Sequence, residues 1–103
     1  MYQLSFFVPE AYAEVVKEAV FAAGAGRLGD YDRCSWQVLG QGQFRPLSGS
    51  NPHIGVQGQV EQVAEFRVEM LCADECIRKA ITALQAAHPY EQPAFQYYRV
   101  NID

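Results

Sequence analysis

Residues 64–70 alternate without a fault: Ala64, Phe66, Val68 and Met70 are apolar, and Glu65, Arg67 and Glu69 between them are charged. Successive strand side chains point to opposite faces, so this run predicts a strand with one dry face and one wet face. That excludes the parallel sheets covered on both sides, whose strands are apolar throughout. The chain needs a sheet with a cover on one side only.

Residues 2–8 repeat the pattern, with Tyr2, Leu4, Phe6 and Val8 on one face and Gln3 and Ser5 on the other; Phe7 breaks it. Two helical stripes supply the cover. Pro9 opens the first, where its missing N–H costs nothing, and Tyr12, Val15, Val16, Ala19, Val20 and Ala23 recur at helical spacing up to Gly24 as C′ residue. Asp74 is the expected N-cap of the second, whose stripe is Ile77, Ala80, Ile81 and Leu84. This helix must stop near Ala87, because His88 precedes Pro89 and is pushed out of the α region. Cys34, Trp36 and Val38 alternate with Ser35 and Gln37 in a further strand, and Ala94 to Val100 is the last.

The order strand, helix, strand, strand, helix, strand predicts an α+β fold. It is the ferredoxin-like βαββαβ sandwich, an antiparallel sheet in the order four, one, three, two with both helices on one face. One domain covers residues 1–103. A long loop is expected over residues 39–59, where five glycines and two prolines fall, with a short β-ribbon around Gln43, Phe44 and Arg45. The opposite sheet face, with Glu65, Arg67 and Glu69, is expected to be wet or to meet a polar partner.

Charge and composition narrow the partners. The net charge is −4 and the eight Lys and Arg residues are scattered, so nucleic acid and anionic membrane are not expected to bind. No apolar run reaches membrane-spanning length, and the first residues carry no basic signal region, so a cytoplasmic protein is expected. Cys34, Cys72 and Cys76 then read as reduced thiols.

Few residues are left over for chemistry. His88-Pro89-Tyr90-Glu91-Gln92-Pro93 is the most distinctive run: two prolines frame a histidine, a phenol and a carboxylate. It reads as a rigid helix-to-strand corner, or as a site where His88 or Glu91 is a ligand or acid–base group. Gly24, Gly26 and Gly29 follow a helix instead of opening one, so they are not a phosphate loop. Cys72 and Cys76 lack the tight spacing of thiolate metal sites, and Ser48 and Ser50 sit in no nucleophile motif. Glu65 and Glu69 read as solvent-exposed. No catalytic constellation stands out, and an enzyme is not expected.

Several motifs in order, Gly24-Ala25-Gly26-Arg27-Leu28-Gly29-Asp30-Tyr31, Gly40-Gln41-Gly42-Gln43-Phe44-Arg45-Pro46, Asn51-Pro52-His53-Ile54-Gly55 and the His88 corner, closely resemble the YqfO-like domain of the Nif-three-like family. In that family the domain is inserted in a larger metal-binding protein, whose flanking halves hold a pair of metals. Their absence here implies a free-standing domain, so the family's hydrolase activities do not transfer. The resemblance implies the PII/CutA form of the ferredoxin-like fold, and the corner is similar to the His-Pro-Tyr-Glu run of CutA. It also implies a homo-oligomer, and places loop 39–59 where PII proteins touch ligands and partners.

The expected function is therefore a small binding or regulatory module for a small ligand or protein partner. Its contacts are expected at Arg45, Asn51, His53, His88, Tyr90 and Glu91. One alternative is a CutA-like binder of a divalent metal, zinc or copper, through His53, His88 and Glu91 with Cys34. The other is an enzyme with its site at a subunit interface. Arg45 and Glu91 could also do no more than pair and lock the loop to the domain.

Overall fold

The computed structural model describes residues Met1–Asp103. Strand β1 is Tyr2–Pro9, followed by a 3-10 turn, Glu10–Tyr12, and helix α1, Ala13–Ala22. Strands β2, Trp36–Phe44, and β3, Glu61–Cys72, come next, then a second 3-10 turn, Asp74–Cys76, helix α2, Ile77–Ala87, and strand β4, Phe95–Arg99. The strands lie in the order β2-β3-β1-β4 and every pairing is antiparallel.

Register puts the two alternating runs in phase. Leu4 faces Met70, Phe6 faces Val68 and Val8 faces Phe66, so the apolar sides of β1 and β3 make one surface. Val16 and Val20 of α1 and Ala80 and Leu84 of α2 close on it, all fully buried and in one core cluster. Each large aliphatic or aromatic side chain so buried contributes about 1.5–3 kcal/mol, enough to hold both helices on the same face. Val15 is the exception to the predicted stripe. It is 58% exposed, because α1 buries only Ala13, Val16 and Val20 along its length.

Asp74 does not cap α2. Its carboxylate takes the amino terminus of Met1 and the Arg99 guanidinium (2.8 Å), which hold its carboxyl below the usual carboxylate range. The three cysteines are free thiols; burial pushes Cys72 up to about 11, so it is inert, apolar filling.

The long connection is shorter than its glycine content predicts. β2 runs through Gly40 and Gly42 as far as Phe44, paired residue for residue with β3 down to Glu61. Residues 61–64 of β3 pair with β2 alone, so a two-stranded ribbon overhangs the rest of the sheet. The molecule is correspondingly elongated, 46 × 24 × 23 Å. The loop proper is residues 45–60.

The face away from the helices is less polar than expected. Ser5, Glu69 and Trp36 lie side by side across three strands, as do Phe7, Arg67 and Val38. Trp36 and Val38 are exposed there. Phe7, the residue that broke the alternation of β1, is half-buried on this face with the Arg67 guanidinium 5.9 Å from its ring centre.

Candidate binding pocket at the His88 corner

Helix α2 ends where proline dictates. His88 adopts φ −71°, ψ 137°, an extended conformation, and its N–H still closes the last helical turn on the Leu84 carbonyl. The side chain turns inward and is 5% exposed. Nδ1 accepts the Tyr90 N–H at 3.1 Å, so the ring proton is on Nε2, which donates to the Phe7 carbonyl at 2.7 Å. Burial pushes the imidazole below its ordinary value, opposed by the Phe7 bond and helped by nearby His53. His88 is a neutral staple between the corner and β1.

That staple orients Tyr90. Its ring centre lies 4.9 Å from that of His88, 5.8 Å from Phe44 and 6.4 Å from His53. Its hydroxyl donates to Glu65 Oε2 at 3.1 Å; burial first, and then the Glu65 charge, push the phenol well above its normal range. Glu65 lies over Gly42 of β2, where a Cβ would stand 1.9 Å from Oε1. Gly42 has no positive φ, so glycine is needed there for room and not for backbone freedom.

The loop is tied to this corner. Gly58 N–H donates to the Pro46 carbonyl at 2.7 Å and the Ser50 hydroxyl to the Leu47 carbonyl at 2.7 Å, closing the loop on itself. The Asn51 N–H donates to Glu91 Oε2 at 2.8 Å, joining loop to corner. His53 sits edge-on to Tyr12, 5.5 Å between centres, and within 6.4 Å of the Tyr90 ring centre. Between loop, ribbon and corner is an open cavity of about 630 Å³.

Of the expected contact residues, Arg45, His53, Tyr90 and Glu91 line this cavity. His88 is buried behind the wall, and exposed Asn51 ties the loop to Glu91 through its N–H. Arg45 is exposed and makes no salt bridge, so it does not lock the loop; the Asn51–Glu91 bond does.

The metal set of His53, His88, Glu91 and Cys34 is not assembled. No three His, Cys, Asp or Glu side chains are grouped to share an ion, and both His88 nitrogens are engaged with backbone. Cys34 bonds backbone in the turn after α1.

Sequence reading missed Glu65, Gly42 and Phe7. Glu65 sat on a face expected to be wet, yet it is half-buried under Tyr90. Two signals pointed to the place. Phe7 broke the alternation of its strand, and glycines inside a strand mark close approach by another group.

No family model matches the chain. A protein named GTP cyclohydrolase 1 type 2 homolog from Mycobacterium tuberculosis is 49% identical over 92 residues, 89% of this chain and 24% of the relative. One of the same name from Halalkalibacterium halodurans is 40% identical over 98 residues, 95% of this chain and 26% of the relative. A solved Bacillus cereus protein related to NIF3 superposes with a TM-score of 0.83 at 37% identity, over 98% of this chain and 26% of that one. The chain is a YqfO-like domain of the Nif-three-like family. It spans about a quarter of the length of the curated relatives it matches. CutA from Xylella fastidiosa has a TM-score of 0.71 at 21% identity, over 99% of this chain and 85% of CutA. The periplasmic divalent cation tolerance protein CutA from Archaeoglobus fulgidus scores 0.70 at 15% identity, over 100% and 87%. These two share the fold alone with the YqfO-like domain.

Proposed function

We propose that this YqfO-like domain is a binding or regulatory module that holds a small ligand or a protein partner in the cavity at the His88 corner, without turnover. One observation carries the reading: two segments about 40 residues apart are bonded together, Asn51 to Glu91, around a cavity whose walls the core does not need. The wall is built before any ligand arrives, since His88, Tyr90 and Glu65 orient one another. Catalysis has less support. The one buried imidazole has no free nitrogen, and the serine bonded to a carboxylate, Ser5 to Glu69 at 3.3 Å, is fully buried and does not line the cavity.

The cyclohydrolase name of the relatives belongs to proteins about four times as long, and that activity forms no part of this proposal. The divalent-cation tolerance for which the Archaeoglobus CutA is named has thin support here: His53 and Glu91 are the candidate ligands left once His88 is engaged. Zinc and copper titrations in which neither ion shifts the His53 resonances dispose of that reading.

We also place self-association with a second copy in this proposal. The free edge strand β2, with exposed Trp36, Val38 and Leu39, supports it. A monomeric mass by sedimentation at high micromolar concentration refutes it.

The binding reading is tested by a thermal-shift screen of small metabolites, because a ligand of the folded state raises the melting point. Hits are expected to lose their effect in His53→Ala and Glu91→Ala. If both variants keep every ligand and partner interaction, the cavity is not the site.

A further inference from the structure

A carboxylate without a cation stands at the wall of this cavity. Glu65 is half-buried, and Tyr90 gives it one neutral hydrogen bond, to Oε2. No lysine or arginine pairs with it; Arg67, on the same face, bridges instead to Glu69 at 3.2 Å. An ionised carboxylate has about four acceptor positions, and bonds from charged donors are roughly twice as strong as neutral ones. Glu65 therefore keeps hydrogen-bonding capacity unused: Tyr90 bonds Oε2, while Oε1, lying in the room that Gly42 leaves, has no side-chain or backbone partner.

The surroundings favour one kind of occupant. Phe44 and Tyr90 line the same cavity, and ring faces attract cations; Phe7, which also lines it, already carries Arg67. The chain as a whole carries a charge of −4, which adds a field of the same sign. A guanidinium suits this wall better than an ammonium: it is flat, weakly hydrated, stacks on rings and meets a carboxylate with two parallel N–H bonds. Arg45, which also lines the cavity, is exposed and unpaired, and it suits an anionic far end on a ligand longer than a simple alkylguanidinium.

We propose that the cavity binds an alkylguanidinium, its head on Glu65 and its plane against Tyr90 and Phe44. This rests on the binding reading above and names its ligand class. The ligand's source is a free small molecule or an arginine side chain of a partner.

The test is a titration of the 15N-labelled chain with agmatine, followed at the Gly42 and Tyr90 amides. Saturable shifts at both are expected. Glu65→Gln is expected to weaken binding by about tenfold or more, the loss of one charged hydrogen-bond partner. Tyr90→Phe, which keeps the ring, should weaken it less. Glu75→Gln, the same charge change at the far end of the sheet, should leave it unchanged. A capped Gly-Arg-Gly peptide that binds more tightly than agmatine assigns the site to a partner's arginine; weaker binding assigns it to a free small molecule.

Agmatine binding that survives Glu65→Gln overturns the proposal. So does binding of butyrate in place of agmatine, lost in Arg45→Gln; the cavity then remains a binding site and only the ligand class falls. If neither compound moves the Gly42 and Tyr90 amides and the metabolite screen is also empty, both readings fall.

Discussion

Replacing His88 with alanine removes two hydrogen bonds that nothing else in the fold can make. The Phe7 carbonyl cannot turn to β4, because that strand pairs with β1 only as far as Phe6. The Tyr90 N–H is in the corner, outside any ladder. Each backbone group left without its partner costs about 1–3 kcal/mol, so His88→Ala is expected to destabilise the domain by about 2–6 kcal/mol. A domain of this size has about 5–15 kcal/mol in total, so the loss is large. Urea unfolding at pH 7.5, followed by far-UV circular dichroism, measures it. The same change predicts a pH signature. Burial lowers the folded imidazole below the ordinary value near 6.5, so between the two values the unfolded chain holds more protons. The stabilisation due to neutral His88 is full above about pH 6.5 and declines as pH falls towards the folded value. His88→Ala should flatten that limb, with His53 the one remaining histidine. A loss below about 0.5 kcal/mol, or an unchanged acid limb, would mean that His88 is not the staple described.

Leu84→Ala truncates a fully buried side chain between α2 and the sheet, and should cost about 2–5 kcal/mol in the same urea assay. Gly42→Ala places a methyl where Glu65 Oε1 now lies, so the carboxylate must swing away and release the Tyr90 hydroxyl. The expected loss is about 1 kcal/mol, together with agmatine binding. A crystal structure of Gly42→Ala that keeps the Glu65–Tyr90 bond contradicts this. Glu91→Ala frees the Asn51 N–H on an exposed surface, so stability should change by no more than about 0.5 kcal/mol. Hydrogen exchange at Asn51 should nevertheless quicken, and an unchanged rate would show that Glu91 does not hold the loop.

Period-two alternation in residues 2–8 and 64–70 by itself determined that β1 and β3 are one-sided strands. The stripes of α1 and α2 determined what covers them. Local rules sufficed because the cause is local: a side chain's direction follows from its place in the repeat, and burial selects the apolar side. The stop at His88 was equally legible, since Pro89 acts on its neighbour through sterics alone. Where sequence reading went astray, the deciding partner was distant. Gly40 and Gly42 looked like loop residues, but β3 supplied their hydrogen bonds and prolonged β2 to Phe44. Asp74 looked like a cap, but Met1 and Arg99 took its oxygens. His88, Tyr90 and Glu91 were legible as a distinctive run and Arg45 and His53 as loop residues, yet Glu65 was not. Whether a glutamate on a strand face is solvated depends on what lies above it, and here that is a tyrosine 25 residues away. Only the tertiary fold decided that a hydroxyl, a carboxylate and a missing methyl group would meet at one wall, because no repeat in the chain encodes that distance.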